Sequence, residues 1–206
     1  GDHRDLHSFP TRRSSDLEAG TAWEVCMTFN RSGWFYHAND DLGNQTGNLT
    51  DTLYALARIR SWQGNMLLNM SPREDGTLAP ANYKAMETMS RWMAWADVSV
   101  FDTKGTHFPE QSNVPITTSV DGQTWYLHAK PGPQEDSANW GRWKKPYYTN
   151  TQPGKAIQVQ DVPAVKSVTL LRTGESIEFS YNQGELIIEN PAAGPDGLHE
   201  VIKLTL

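Results

Sequence analysis

The chain has 206 residues, which suffices for one large domain or two small ones. A complete eight-unit α/β barrel uses about 250 residues, so a whole barrel with a second domain is excluded. Lys and Arg number 18 against 24 Asp and Glu, and the resulting net charge of −6 offers no extended basic face. We therefore predict neither a nucleic acid nor a membrane surface as a partner.

The first 17 residues differ from the rest of the chain. Residues 1–17 have neither a helical nor a strand periodicity, and their local charge balance is basic. These features predict a disordered tail that looks foreign to the fold. We assign no functional role to its histidines or arginines.

The next segment predicts a strand, a helix and a second strand. Apolar side chains alternate with polar ones over residues 23–29, and a Gly- and Asn-rich loop with three adjacent aromatic residues follows. A helix is predicted next, because Leu49, Leu53, Leu56 and Ala57 recur at helical spacing, and Gly64 is expected to end it. Residues 65–70 are apolar on both faces, as in a parallel strand covered by helices. The three elements form a predicted βαβ unit.

A second helix is predicted from Pro80, which suits a first helical turn. Its expected buried stripe consists of Tyr83, Met86, Met89, Met93 and Ala96. After Phe101 the helical period ends, and short alternating runs separated by turn residues continue to the C-terminus. Turns are expected at 121–122, 174–175, 183–184 and 196–197, and an antiparallel β-sandwich is the predicted arrangement.

Candidate functional residues cluster after the two predicted strands of the first segment. Glu24 lies in the first strand, the aromatic residues 34–36 follow it, and Arg73, Glu74 and Asp75 follow the second strand. Loops after parallel strands line the same rim. The six histidines lack a metal-ligand spacing and Cys26 is the one cysteine, so we predict no metal site.

Two linked motifs in this segment resemble the last two barrel strands of the α-L-fucosidases of glycoside hydrolase family 29. The first motif comprises Trp23, Glu24, Cys26, Thr28, Ser32, Trp34 and Tyr36, and the second comprises Gly64, Asn65, Leu67, Leu68, Asn69, Pro72, Asp75 and Gly76. The resemblance implies a C-terminal fragment of such an enzyme. It implies the last two βα units of a (β/α)8-like barrel over 18–108, followed by an antiparallel β-sandwich domain over 109–206.

The resemblance also implies an activity. Family members hydrolyse terminal α-L-fucose from glycans with retention of configuration, so a fucosylated glycan is the expected substrate and no cofactor is needed. Their aspartate nucleophile and their acid/base carboxyl group lie upstream of the Trp-Glu pair. No residue of this chain is therefore predicted to be catalytic, and the fragment alone is expected to be inactive. A periplasmic or secreted location is expected from the resemblance alone.

The resemblance assigns substrate binding to three residues. Trp34 is expected to pack against the apolar face of fucose, with Phe35 as the alternative because the aromatic loop carries one inserted residue relative to the family pattern. Glu24 is expected to accept hydrogen bonds from its neighbours or to orient the substrate. A second hypothesis makes the β-sandwich a carbohydrate-binding or scaffold module without catalysis, presenting Trp125, Trp140 and Trp143.

Overall fold

The computed structural model describes residues 23–30, 33–38, 47–105, 111–129 and 156–206. In these ranges the chain consists mainly of β-sheets with two α-helices. The segment 1–17 lies outside the described residues, as do Trp140 and Trp143. Neither described helix is long and apolar enough to cross a membrane.

The first three elements form the expected strand, helix and strand. They are β1 (Glu24–Thr28), α1 (Gly47–Ser61) and β2 (Asn65–Asn69). The two strands pair in parallel, with Glu24 opposite Asn65 and Thr28 opposite Asn69. A parallel pair requires a crossover connection, and the helical period of the sequence correctly indicated where that helix lies.

The residue that precedes β1 contacts the turn that follows α1. Trp23 Nε1 donates a hydrogen bond of 3.1 Å to the carbonyl of Trp62, so the indole lies across the turn between α1 and β2. A Cβ atom added to Gly64 would lie 2.4 Å from Cζ2 of Trp23. Gly64 is required here because its missing side chain leaves space for that ring.

Helix α2 (Pro80–Ala96) packs with a different face from the one expected. Its buried residues are Asn82, Ala85, Trp92 and Ala96. Tyr83 is 47% exposed and Met86 43% exposed, so the predicted stripe is wrong at these two positions. The small side chains of Asn82 and Ala85 let the first turns approach the rest of the fold closely, which turns Tyr83 and Met86 to the surface.

Eight short strands follow the helices and build two antiparallel sheets. They are β3 (Thr103–Gly105), β4 (Ile116–Ser119), β5 (Thr124–Ala129), β6 (Ala156–Val159), β7 (Ser167–Leu170), β8 (Phe179–Asn182), β9 (Glu185–Glu189) and β10 (Glu200–Thr205). One sheet has the order β3-β4-β5-β10-β7 and the other the order β6-β9-β8. The first sheet thus begins at β3, ahead of residue 109.

The side chains between these sheets follow the expected alternation. Leu127, Ile202 and Leu204 from the five-stranded sheet meet Ile157, Leu186 and Ile188 from the three-stranded sheet, and all six are fully buried. The predicted turns also have the backbone conformation that their residues favour. Gln183 and Gly184, between β8 and β9, have φ values of +47° and +90°, as a tight hairpin turn requires.

The five-stranded sheet is covered on both faces. Leu127 and Ile202 point into the sandwich, whereas their neighbours Tyr126 and Val201 belong to a second core that includes Leu53 of α1 and Trp92 of α2. Because side chains alternate along a strand, each of these strands contributes to two cores. The helical layer therefore packs directly on the β-sheet.

Candidate functional site

The loops that follow β1 and β2 meet at one edge of the parallel pair. The backbone N–H of Phe29 donates a 2.8 Å hydrogen bond to the carbonyl of Asn69, which extends the pairing beyond the ends of both strands. The loop carrying Trp34, Phe35 and Tyr36 leaves from this point, and so does the turn that begins at Ser71. The structure thus brings the aromatic residues and the turn together, as the sequence predicted.

Three side chains hold the main chain of the aromatic loop. The hydroxyl groups of Thr28 and Ser71 donate to the carbonyl of Gly33 over 2.8 and 3.0 Å. The Asn69 amide donates to the carbonyl of Trp34 over 3.2 Å. Because these donors come from the ends of two adjacent strands, the position of the aromatic residues is coupled to the register of the sheet.

A buried pair of asparagines ties this edge to α2. Asn30 and Asn82 donate side-chain amide hydrogen bonds to each other, and the backbone N–H of Ser71 donates to Oδ1 of Asn30 over 3.3 Å. Both asparagines are at most 1% exposed. Asn30 therefore links the end of β1, the turn after β2 and the start of α2.

The three aromatic side chains differ in exposure. Phe35 is 85% exposed, whereas Trp34 and Tyr36 are half-buried. The guanidinium carbon of Arg73 lies 6.0 Å from the centre of the Tyr36 ring, at the outer limit of a cation–π contact. The turn after β2 is thereby in contact with the aromatic loop.

Glu24 lies on the open face of the parallel pair. Val25 points toward the helices and is buried, whereas Glu24 and Cys26 are exposed on the opposite face together with Leu67 of β2. The Glu24 side chain is therefore on the same sheet face as Thr28 and Asn69, whose side chains hold the aromatic loop.

A shallow cleft of about 730 Å³ adjoins the turn after β2. Its lining residues come from that turn and from the start of α2, and they are Arg73, Asp75, Thr77, Leu78, Pro80, Tyr83, Lys84 and Glu87. Oδ1 of Asp75 accepts hydrogen bonds from the backbone N–H and the hydroxyl of Thr77 over 2.9 and 2.7 Å. These two bonds lower the pKa of Asp75, so its carboxylate stays ionised in a fixed orientation.

A second polar cluster lies where the helices meet the five-stranded sheet. His128 and His199 are fully buried, with Nδ1 of His128 3.4 Å from Nε2 of His199. Thr117 donates to the carbonyl of Ser99 over 2.6 Å and lies 3.4 Å from Nε2 of His128. Burial lowers the pKa of His128 to about 3, so the ring is neutral at ordinary pH.

Sequence reasoning missed the residues that hold the rim. Contacts at the rim were not predicted for Thr28 and Ser71, which hold the aromatic loop, or for Asn30 and Asn82, which link the rim to α2. One available signal was the position of Asn30 and Ser71, since each follows an apolar strand at the end where parallel strands present their loops. Among the described residues, no group of three or more His, Cys, Asp or Glu side chains could hold a metal ion.

The tryptophans proposed for a carbohydrate-binding sandwich are only partly described. Trp125 packs against the sandwich core and is half-buried. Trp140 and Trp143 lie outside the described residues. Trp125 is therefore better placed to support packing than to stack on a ligand.

Comparison with known proteins points to one family. The α-L-fucosidase family model matches residues 3–97, a range that includes most of the segment 1–17. An α-L-fucosidase of Branchiostoma floridae is 28% identical over 82 residues, which are 40% of this chain and 18% of that protein. The human plasma α-L-fucosidase is 24% identical over 170 residues, which are 82% of this chain and 33% of that protein.

Solved structures agree with these matches. α-L-fucosidase isoenzyme 1 of Paenibacillus thiaminolyticus has a TM-score of 0.64 at 24% identity, covering 90% of this chain and 40% of that one. A family 29 α-L-fucosidase of Bacteroides thetaiotaomicron, trapped as a covalent intermediate, has a TM-score of 0.63 at 22% identity. The match covers 89% of this chain and 38% of that one. The second half of the fold thus matches the C-terminal β-sandwich of these enzymes.

The chain spans about a third or less of the two curated relatives and about two fifths of the two solved structures. Three independent comparisons give the same family, and the motifs that carry the resemblance lie in the matched range 3–97. Over residues 3–97 the chain accordingly resembles the α-L-fucosidases, and its fold is similar to part of the solved α-L-fucosidases of glycoside hydrolase family 29.

Proposed function

We propose that the protein to which this chain belongs is a retaining α-L-fucosidase that removes terminal α-L-fucose from glycans. The observation that carries this proposal is the family-model match over residues 3–97, which contains β1, β2 and both loops of the rim. Retaining hydrolysis requires two carboxyl groups about 5 Å apart, one to attack the anomeric carbon and one to transfer the proton. We propose that both come from segments outside the described residues.

The same proposal assigns the first two strands and the two helices to part of a barrel. Here β1, α1, β2 and α2 are the last two βα units of a (β/α)8-like barrel within 18–108, and the sandwich domain, predicted over 109–206, begins at β3. The parallel register of β1 and β2 and the exposed face that carries Glu24, Cys26 and Leu67 support it. In a closed barrel that face would line the interior, and the remaining strands would extend the sheet from the edges of this pair.

In this arrangement the described residues position the sugar. The side chains of Thr28, Asn69 and Ser71 fix the loop that presents Trp34 and Phe35, and we assign Trp34 to the apolar face of fucose. Trp34 is half-buried, whereas Phe35 is 85% exposed and is the alternative. Glu24 is assigned to orienting the substrate, because its exposed carboxylate lies on the open face of the sheet.

The test uses the protein encoded by the complete gene. We expect it to release fucose from an aryl α-L-fucoside, with proton NMR showing the α-anomer as the first product. The 206-residue chain alone is expected to show no turnover under the same conditions. Release of the β-anomer, or full activity of the chain alone, would contradict the proposal. A periplasmic or secreted location is proposed from the resemblance and is checked by cell fractionation.

A further inference from the structure

The cleft beside the aromatic loop has the composition of a sugar-binding surface. Tyr83 forms one wall, and its ring is 47% exposed although it lies on a helix that packs in the fold. The phenolic oxygen accepts a hydrogen bond of 3.2 Å from the backbone N–H of Leu78, which holds the ring in place. A ring that is already fixed loses little conformational entropy when a flat ligand stacks on it.

Charged and polar groups surround this ring. Arg73 and Lys84 supply donors, while Asp75 and Glu87 supply acceptors, so the charges in the cleft balance. The carboxylate of Asp75 is held by Thr77, and its lowered pKa keeps it ionised. An uncharged ligand with several hydroxyl groups satisfies these donors and acceptors, whereas a strongly charged ligand meets a group of like sign.

Arg73 connects the cleft to the aromatic loop that carries the proposed fucose-binding residues. Arg73 lines the cleft and its guanidinium also faces the ring of Tyr36, two residues from Trp34. The turn that carries Arg73 is closed by hydrogen bonds from Arg73 N to Thr77 O over 2.7 Å and from Gly76 N to Arg73 O over 3.0 Å. These bonds fix the main chain of the turn from which the Arg73 side chain reaches toward the aromatic loop.

We propose that this cleft binds the neutral sugar residue to which the fucose is attached, with that sugar stacked on Tyr83. The proposal rests on the proposed function for the identity of the neighbouring sugar, but the binding itself requires no catalysis. Tyr83 is thus a specificity-determining residue that selects glycans over simple aryl fucosides. Arg73 positions the cleft relative to the aromatic loop.

The test measures binding of N-acetyllactosamine to the 206-residue chain by isothermal titration calorimetry. We expect Tyr83→Ala to weaken binding about tenfold, the loss that corresponds to one aromatic stacking contact. Met86→Ala is the matched control, because Met86 lies on the same helix with similar exposure and does not line the cleft. It should bind like the parent chain, and Tyr83→Phe, which keeps the ring, should lie closer to the parent than Tyr83→Ala. Thermal melts establish that each variant is folded.

Equal binding by the Tyr83→Ala and Met86→Ala variants overturns the proposal, as does N-acetyllactosamine binding no more tightly than glycerol. Competition by free L-fucose at equal concentration overturns the assignment to the neighbouring sugar. Failure of the complete protein to hydrolyse fucosides would remove the proposed function but would leave Tyr83-dependent binding of the disaccharide as support for the cleft.

Discussion

Asn30 and Asn82, 52 positions apart in the sequence, exchange two side-chain hydrogen bonds of 3.4 and 3.3 Å inside the protein. The pair joins the end of β1 to the first turn of α2, and it receives the backbone N–H of Ser71 as well. Each amide satisfies the other in a place that water does not reach. This contact adds a polar link to the apolar cluster in which Phe29 and Ala85 already join β1 to α2.

Replacing Asn82 by alanine should destabilise the fold by about 1–3 kcal/mol, because Asn30 would keep a buried amide without its partner. Urea denaturation of the chain measures the change. Asn182→Ala is the control, since Asn182 is exposed on β8 and should alter the free energy of unfolding by less than about 0.5 kcal/mol. Equal effects of the two substitutions would show that the buried pair is not stabilising.

Gly64→Ala should destabilise the chain by about 1–3 kcal/mol, because the new methyl group would lie 2.4 Å from the Trp23 ring. The test is a double-mutant cycle with Trp23→Leu. The alanine should be far less damaging once the indole is removed, because the space is then free. Additive effects of the two substitutions would mean that the ring is not what excludes a side chain.

Because His128 is buried, we predict that the folded protein loses stability in acid. Its pKa is about 3 in the folded protein and near 6.5 when exposed, so between these values the unfolded chain binds a proton that the folded chain does not. The free energy of unfolding should therefore be unaffected by this group above pH 6.5. It should fall by up to about 1.4 kcal/mol per pH unit below that value.

Urea titrations at pH 7 and pH 5 test this expectation, with His128→Gln as the comparison. Thr117 and His199 contact the ring, so the difference between parent and variant reports the His128 site together with these two contacts and separates it from distant groups. The variant should show the smaller decrease in stability. The same decrease in both proteins would assign the acid sensitivity to other groups.

Two ion pairs of different burial should differ in strength. Nη2 of Arg172 is 2.5 Å from Oε1 of Glu200, whose side chain is 3% exposed, whereas the pair of Arg91 and Asp196 lies at the surface. Arg172→Met should cost about 3 kcal/mol, because it leaves a buried carboxylate without its cation. Arg91→Met should change stability by less than about 1 kcal/mol. Chemical denaturation of both variants gives the comparison, and a small effect at Arg172 would contradict it.

In the proposed fucosidase, Trp34→Ala should lower kcat/KM for an α-L-fucoside about tenfold through loss of ring stacking, and Phe35→Ala should have the smaller effect. Steady-state kinetics on an aryl fucoside measure both. The reverse order would assign the sugar-facing ring to Phe35, which is the more exposed of the two.

The sequence allowed the β-structure to be predicted well where apolar residues alternate. Leu186 and Ile188, and likewise Ile202 and Leu204, point into the sandwich core as their spacing indicates. Strand β4 was not predicted, because its polar residues find partners only in the folded chain. Thr117, for example, is buried because its hydroxyl bonds to Ser99.

The packing of α2 and the residues of the rim were harder to predict for a related reason. Asn82 is polar and would be placed at the surface by hydropathy, but a distant Asn30 satisfies its amide. Such a pairing depends on two segments meeting in space, and no local spacing encodes it. The aromatic loop was located correctly and loop hydrogen bonds were expected of Asn69, whereas the hydroxyl groups of Thr28 and Ser71 that also hold the loop were not predicted.

The sheet that contributes to two cores limits how this protein can be divided. Tyr126 and Val201 face the helices, while Leu127 and Ile202 face the opposite way. A shortened version starting after residue 101 would expose the apolar, helix-facing side of the five-stranded sheet to water. The carbonyl of His199 would also lose the hydrogen bond that Trp92 donates to it. Any attempt to produce the β-rich half by itself should therefore keep α1 and α2, or replace the uncovered positions with polar residues.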